Sequence, residues 1–171
     1  MNEKERAVSA LNYIIPLLEK YNFDWCIAGG FACYVYGVNR PITDIDIDVN
    51  TNTENPEFKN FLHEVEKYTT APLEHWVDKN YDNYNVEITY QGQVIDICPT
   101  ATLKIFNKEH NVYEPFYQNG FTKPEIVSFE GLKLPLLAKE LIVKNKEMLV
   151  SQRESDLKDI AGLLQLLKQA R

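Results

Sequence analysis

Residues 44–49 read Asp44-Ile45-Asp46-Ile47-Asp48-Val49, a strict alternation of carboxylate and branched aliphatic side chains. Successive side chains on a strand point to opposite faces. Ile45, Ile47 and Val49 therefore share one face, suited to a core, while Asp44, Asp46 and Asp48 share the other. An ionised carboxylate loses hydration when buried and needs a counter-charge, and three on one face also repel one another. Such a face is stable when fully wet or when a cation lies against it. Magnesium takes hard oxygen ligands, typically one or two protein carboxylates completed by water and substrate phosphates.

Upstream, the apolar run Trp25-Cys26-Ile27-Ala28 ends in Gly29-Gly30. This reads as a buried strand followed by a tight turn. A short helix over Phe31 to Tyr36 stops near Gly37, because glycine is favoured just after a helix C-terminus. Arg40-Pro41-Ile42-Thr43 then leads into the aspartate strand. Further upstream, Ala7, Leu11, Ile14, Ile15 and Leu18 follow a 3.6-residue rhythm that predicts a helix over 3–20, with Pro16 expected to kink or divide it.

Downstream, a polar connection over 50–56 precedes helical spacing from Glu57 to Tyr68. Two alternating segments, Asn85 to Tyr90 and Gln93 to Ile97, flank Gln91-Gly92 and predict a β-hairpin. Asp96 shares a face with Val94 and Cys98, a further isolated aspartate in mid-strand. Residues 99–130, with Pro115, Gly120 and Pro124, read as loop with one or two short strands. From Pro135 onward the spacing is helical, with Ser151 expected to cap the turn and Ser155 or Asp156 the last helix.

The order of apolar strand, Gly-Gly, short helix, Arg40, Thr43, Asp-Ile-Asp-Ile and a later strand aspartate resembles the nucleotidyltransferase superfamily typified by DNA polymerase beta. The stretch from Arg40 to Ile47 is similar to small bacterial and archaeal members, including antibiotic nucleotidyltransferases and abortive-infection toxins. Lys144, Arg153, Asp156, Lys158 and Asp159 are similar to a basic and acidic run in the C-terminal helices of such proteins. The resemblance implies an α+β nucleotidyltransferase fold, a mixed β-sheet flanked by helices with a C-terminal helical cap. One domain over 1–171 is expected, with a core over about 1–130 and a helical segment over about 131–171.

It also implies a metal-dependent enzyme that moves a nucleoside monophosphate from a nucleoside triphosphate, ATP among the donors, onto a hydroxyl of a small molecule, a protein or an RNA end. Asp44, Asp46 and Asp96 would be the catalytic and metal-binding carboxylates, holding two magnesium ions for which manganese can substitute. Gly29, Gly30, Arg40, Thr43 and Lys144 would bind the nucleotide. A second reading is a catalytically silent nucleotide-binding or protein-interaction module of the same fold, and a third is a metal-dependent phosphohydrolase that uses the same aspartates and needs no acceptor.

Several positions carry a second reading. Asp48 lies beyond the pattern, where a solvated or cap-forming role is expected. Glu87, on the neighbouring strand, rivals Asp96, whose flanking Ile95 and Ile97 better suit a buried strand. Arg40 either meets phosphate or pairs with an aspartate. For Lys144, Arg153 and Lys158 the rival reading is a solvated helix face. Trp76 and the tyrosines of 68–90 either line a cleft or serve packing. His63, His75 and His110 lack the close spacing of a zinc site.

Composition narrows the classes. The 171 residues are 44% hydrophobic and 25% charged, ordinary usage for one folded core that needs no disulfide staples. A net charge of −7 disfavours a broad nonspecific nucleic-acid surface, which is basic and works by releasing counterions. Cys26, Cys33 and Cys98 are spread singly, as expected of free thiols in a reducing compartment. No signal-peptide pattern and no apolar run of about 20 residues occur. A cytoplasmic protein with no membrane partner is expected.

Overall fold

A computed structural model describes residues 1–118, 121 and 123–169. Gly120, one of the breakers noted above, and the last two residues of the C-terminal helical segment lie outside that set. The chain runs through α1 (Glu3–Lys20), β1 (Trp25–Ile27), α2 (Gly29–Tyr36), β2 (Asp44–Val49) and α3 (Pro56–Val65). It continues through β3 (Thr69–Val77), β4 (Tyr81–Tyr90), β5 (Gln93–Pro99), β6 (Lys104–Asn107), β7 (Val112–Pro115), β8 (Glu125–Phe129) and β9 (Leu132–Leu136). It ends in α4 (Lys139–Met148) and α5 (Glu154–Gln169).

The alternating segments become neighbours in one mixed nine-stranded sheet, ordered β7-β6-β4-β5-β2-β1-β9-β8 with β3 on β4. β2 lies parallel to β5 and antiparallel to β1. The aliphatic faces of β2 and β5 bury Ile45, Ile47, Ile95 and Ile97 completely, in one cluster with Leu11, Ile14 and Leu18 of α1. Packing this face leaves the aspartate face of both strands on the opposite side of the sheet. The expected α+β architecture, a mixed sheet flanked by helices with helices at the C-terminus, is the one observed.

Local chemistry explains most boundaries. Asn2 and Glu5 form a reciprocal capping box at the start of α1, satisfying two backbone donors. Asn55 caps α3 through its side chain, with Pro56 in the first turn, where a missing N–H costs nothing. Gly37 ends α2 in the left-handed region, at φ 107°, and Gln91 and Gly92, both at positive φ, turn the β4–β5 hairpin, as a two-residue hairpin turn requires.

Four expectations need correction. Pro16 does not divide α1, which is continuous from Glu3 to Lys20; it sits on an exposed side, where water can satisfy the carbonyl left without a donor. Residues 99–130 hold three strands, β6, β7 and β8. The helix expected from Pro135 starts at Lys139, because Leu134 and Leu136 alternate inward on β9 and Leu136 pairs with Ile27 of β1. Asp156 lies inside α5, where its carboxylate accepts a bond from the Arg153 backbone N–H at 2.9 Å.

Candidate active site

The register between β2 and β5 places Asp46 directly opposite Asp96. Asp44, two residues from Asp46 on the same face, completes a cluster in which each carboxylate offers an oxygen within 4.8 Å of the others. Burial and the charges of Asp44, Asp96 and Asp48 push the Asp46 carboxyl up to about 7. Burial also raises Asp96, against a hydrogen bond donated by Asn85 Nδ2 at 2.8 Å. Thr43 Oγ1 donates to Asp44 Oδ1 at 2.7 Å, so this hydroxyl orients a carboxylate. Glu87, the rival of Asp96, faces it across the β4–β5 pair but takes a bond from Thr70 Oγ1 at 2.6 Å and stays outside the cluster.

The glycine turn is shaped by these same side chains. Gly29 has φ +57°, and a Cβ there would lie 1.8 Å from Asp46 Oδ2. A Cβ on Gly30 would lie 2.3 to 2.5 Å from the Arg40 guanidinium. Two absent side chains thus let Asp46 and Arg40 close over the start of α2. That helix has no side-chain cap on its first turn, which leaves backbone donors and the positive end of the dipole for an anion.

Behind the turn lies a buried charge network. Arg40 pairs with Asp159 of α5, whose side chain is 1% exposed. Lys146 of α4, also buried, reaches Asp156 at 2.6 Å and Asp159 at 3.1 Å. Arg153 Nε closes on Asp156 Oδ2 at 3.2 Å. Burial opposes the Asp156 charge, yet hydrogen bonds from Arg153 and Lys146 hold its carboxyl well below the usual range.

Gly29, Gly30, Arg40, Thr43, Asp44, Asp46 and Asp96 all line one cleft of about 380 Å³. Lys144 does not: it borders a separate cavity with Asn107, His110, Glu114 and Glu147. The α4 lysine turned into the structure is Lys146, since the helical repeat puts the two on different faces. Asp48 is corrected as well. It is 6% exposed and accepts a bond from Tyr117 Oη at 2.5 Å, neither solvated nor a cap, and burial pushes its carboxyl up to about 6.

Trp76, Tyr81, Asn83, Asn85 and Arg153 also line the cleft. The asparagines carried no signal in the sequence beyond their alternation on β4. Lys158 pairs with Glu154 at 2.8 Å on the exposed side of α5.

The donor set suits a hard divalent cation: three carboxylates on rigid strands, with Asp46 held back from ionising by burial and then by the charges around it. Asp44, Asp46 and Asp96 are the residues that would hold it.

No protein-family model and no curated protein sequence matches the chain. Solved structures do. A Thermotoga maritima protein, TM1012, described provisionally as a nucleotidyltransferase, superposes with a TM-score of 0.67 at 16% identity, over 100% of this chain and 97% of that one. The fold is that of the nucleotidyltransferases. The same nucleotidyltransferase fold is seen in the lincosamide antibiotic adenylyltransferase LnuA, bound to lincomycin. There the TM-score is 0.56 at 19% identity, covering 90% of this chain and 94% of that one. ANT(2'')-Ia in complex with adenylyl-2''-tobramycin gives 0.61 at 16% identity, covering 94% and 89%. Among the described residues of this nucleotidyltransferase-fold chain, no helix is long and apolar enough to cross a membrane.

Proposed function

We propose that the chain is a metal-dependent nucleotidyltransferase that moves a nucleoside monophosphate from a nucleoside triphosphate to a hydroxyl. The observation that carries this reading is the carboxylate cluster of Asp44, Asp46 and Asp96 set against the Gly29-Gly30 turn in one cleft. Asp44, Asp46 and Asp96 would hold magnesium, as two ions, whose charge would acidify the attacking hydroxyl and offset charge on the departing pyrophosphate.

The chain's own groups do the rest. The first-turn amides of α2 receive phosphate oxygens, since Gly29 and Gly30 present no side chain there. Arg153, in the cleft wall and kept charged chiefly by its hydrogen bond to Asp156, with smaller support from Asp44 and Asp46, faces charge that grows in the transition state. Asp96, raised by burial and held on one oxygen by Asn85, takes the hydroxyl proton. The acceptor oxygen bonds to the α-phosphorus, the bond from that phosphorus to the bridging oxygen breaks, and pyrophosphate leaves with the electron pair.

Thermal unfolding with each of the four nucleoside triphosphates, with magnesium or with chelator, tests the donor site. A nucleotide at about a hundredfold its Kd adds about 2.7 kcal/mol, a readily measured shift. The expected result is a magnesium-dependent rise in Tm that Asp46→Asn loses. A rise that survives in Asp46→Asn and in chelator, without pyrophosphate release, would favour a silent nucleotide-binding module.

A further inference from the structure

Asp159 stands at the junction of the charge network behind the glycine turn. Its Oδ2 takes both Arg40 Nη1 and Lys146 Nζ, the latter at 3.1 Å, while its Oδ1 is buried with no hydrogen-bond partner. Arg40 is thereby held through one terminal nitrogen rather than through the two-nitrogen fork that a carboxylate accepts best. Its Nε reaches the Pro41 carbonyl at 3.5 Å. The other terminal nitrogen, Nη2, makes no hydrogen bond among the described residues and lies 2.3 Å from the point a Cβ on Gly30 would occupy. Arg40 lines the cleft, and Asp159 does not.

The helix that carries Asp159 is seated closely on the segment that carries Arg40. Gly162, three residues further along α5, shares a helix face with Asp159. A Cβ at residue 162 would lie 2.9 Å from Val38 Cγ2 and 3.0 Å from Val38 Cγ1, and Val38 is itself buried in the core. Glycine inside a helix is less favourable than alanine, so its presence here fits the close approach of α5 to the segment over 38–40. The absent side chain sets the depth at which Asp159 meets Arg40.

On the reading of the cleft as the donor site of a nucleotidyltransferase, we propose that Asp159 is a positioning residue. It holds Arg40 by Nη1 over the start of α2, so that Nη2 meets an oxygen of the donor triphosphate. Pairing with an aspartate and meeting phosphate do not exclude each other, because a guanidinium carries five N–H donors in a fixed fork. An arginine left loose on the segment over 38–43 would lose side-chain freedom on binding. The buried carboxylate orders it beforehand, and Asp159 acts on the nucleotide only through Arg40.

The experiment titrates the magnesium nucleoside triphosphate that raises the parent Tm most into the parent, Asp159→Asn, Arg40→Met and the double variant, by calorimetry, with the unfolding midpoint of each. Each single variant leaves a paired charge, since Lys146 keeps Asp156 in the first and both aspartates in the second. Asp159→Asn is expected to weaken binding about tenfold in the parent and by no more than about twofold where Arg40 is already methionine. Equal losses in the two backgrounds mark a merely structural role and overturn the proposal. Tighter binding by Asp159→Asn overturns it as well, since Asp159 would then withhold Arg40 from phosphate. Gly162→Ala tests the same link with every charge in place, and it is expected to weaken binding in the parent but not in Arg40→Met. Parent-like affinity in Asp159→Asn, or in Gly162→Ala where Asp159→Asn does not fold, also overturns the proposal. A parent that binds none of the four nucleotides removes the transferase reading and this role with it, whereas a parent that binds one and fails the cycle removes the positioning role alone.

Discussion

Asp46 occupies the space that a side chain on Gly29 would need: a Cβ at residue 29 would lie 1.8 Å from Asp46 Oδ2. The turn and the central carboxylate are therefore one unit. Gly29→Ala adds that clash to a φ of +57°, where an L side chain costs roughly 1–2 kcal/mol. Transfer is expected to fall about a hundredfold or more, since a displacement near 1 Å at the reacting centre has that effect. Steady-state kinetics with the unfolding midpoint measured in parallel checks this, and parent-like kinetics would separate the turn from the carboxylate.

Asp46→Asn removes a proposed metal ligand and a repelling charge together. Transfer is expected to be lost. In metal-free buffer at neutral pH the variant should be more stable than the parent by about 1–2 kcal/mol, because the carboxyl is raised to about 7 by burial and its like-charged neighbours. Denaturant unfolding in chelator measures the sign, and a less stable variant would show that the carboxylate is satisfied without a cation.

The two lysines of α4 should separate cleanly. Lys146→Met leaves Asp156 and Asp159 without a shared cation and is expected to cost about 3–5 kcal/mol. Lys144→Met, outside the cleft, should stay within about 0.5 kcal/mol of the parent and keep its activity. A large loss of activity in folded Lys144→Met would restore that residue to the nucleotide site.

Asp156 sets a pH dependence. Its carboxyl is lower in the folded protein than its usual value of 3.8, through Arg153 and Lys146 acting against burial. The folded state thus favours the ionised form, and the contribution is fully present above about pH 5 and lost as pH falls below about 4. Asp156→Asn is expected to be less stable than the parent at pH 7, with the gap narrowing between pH 5 and pH 2. Urea unfolding across that range reads it, and a constant gap would contradict this account.

Much of the site was legible because strand alternation has a period of two. Once Ile45 and Ile47 must be buried, Asp44 and Asp46 have one face left, and the same holds for Asp96 between Ile95 and Ile97. Positive φ at Gly29 and Gly37 likewise follows from residues suited to it. The strands of 99–130 were harder to see: β6 and β7 are four residues each, too short to display a period.

The sequence by itself determined the strand carrying Asp44 and Asp46, the glycine turn before it, the hairpin carrying Asp96 and the helical cap. These depend on residues close together in the chain, whose backbone preferences and periodicity act locally. Tertiary structure alone decided that Asp46 stands beside Asp96, that Arg40 is tied to Asp159, that Lys146 rather than Lys144 turns inward, and that Trp76 and Asn83 wall the cleft. Those pairings join segments up to 119 positions apart, and their geometry comes from how the sheet and α5 pack, which no local pattern encodes.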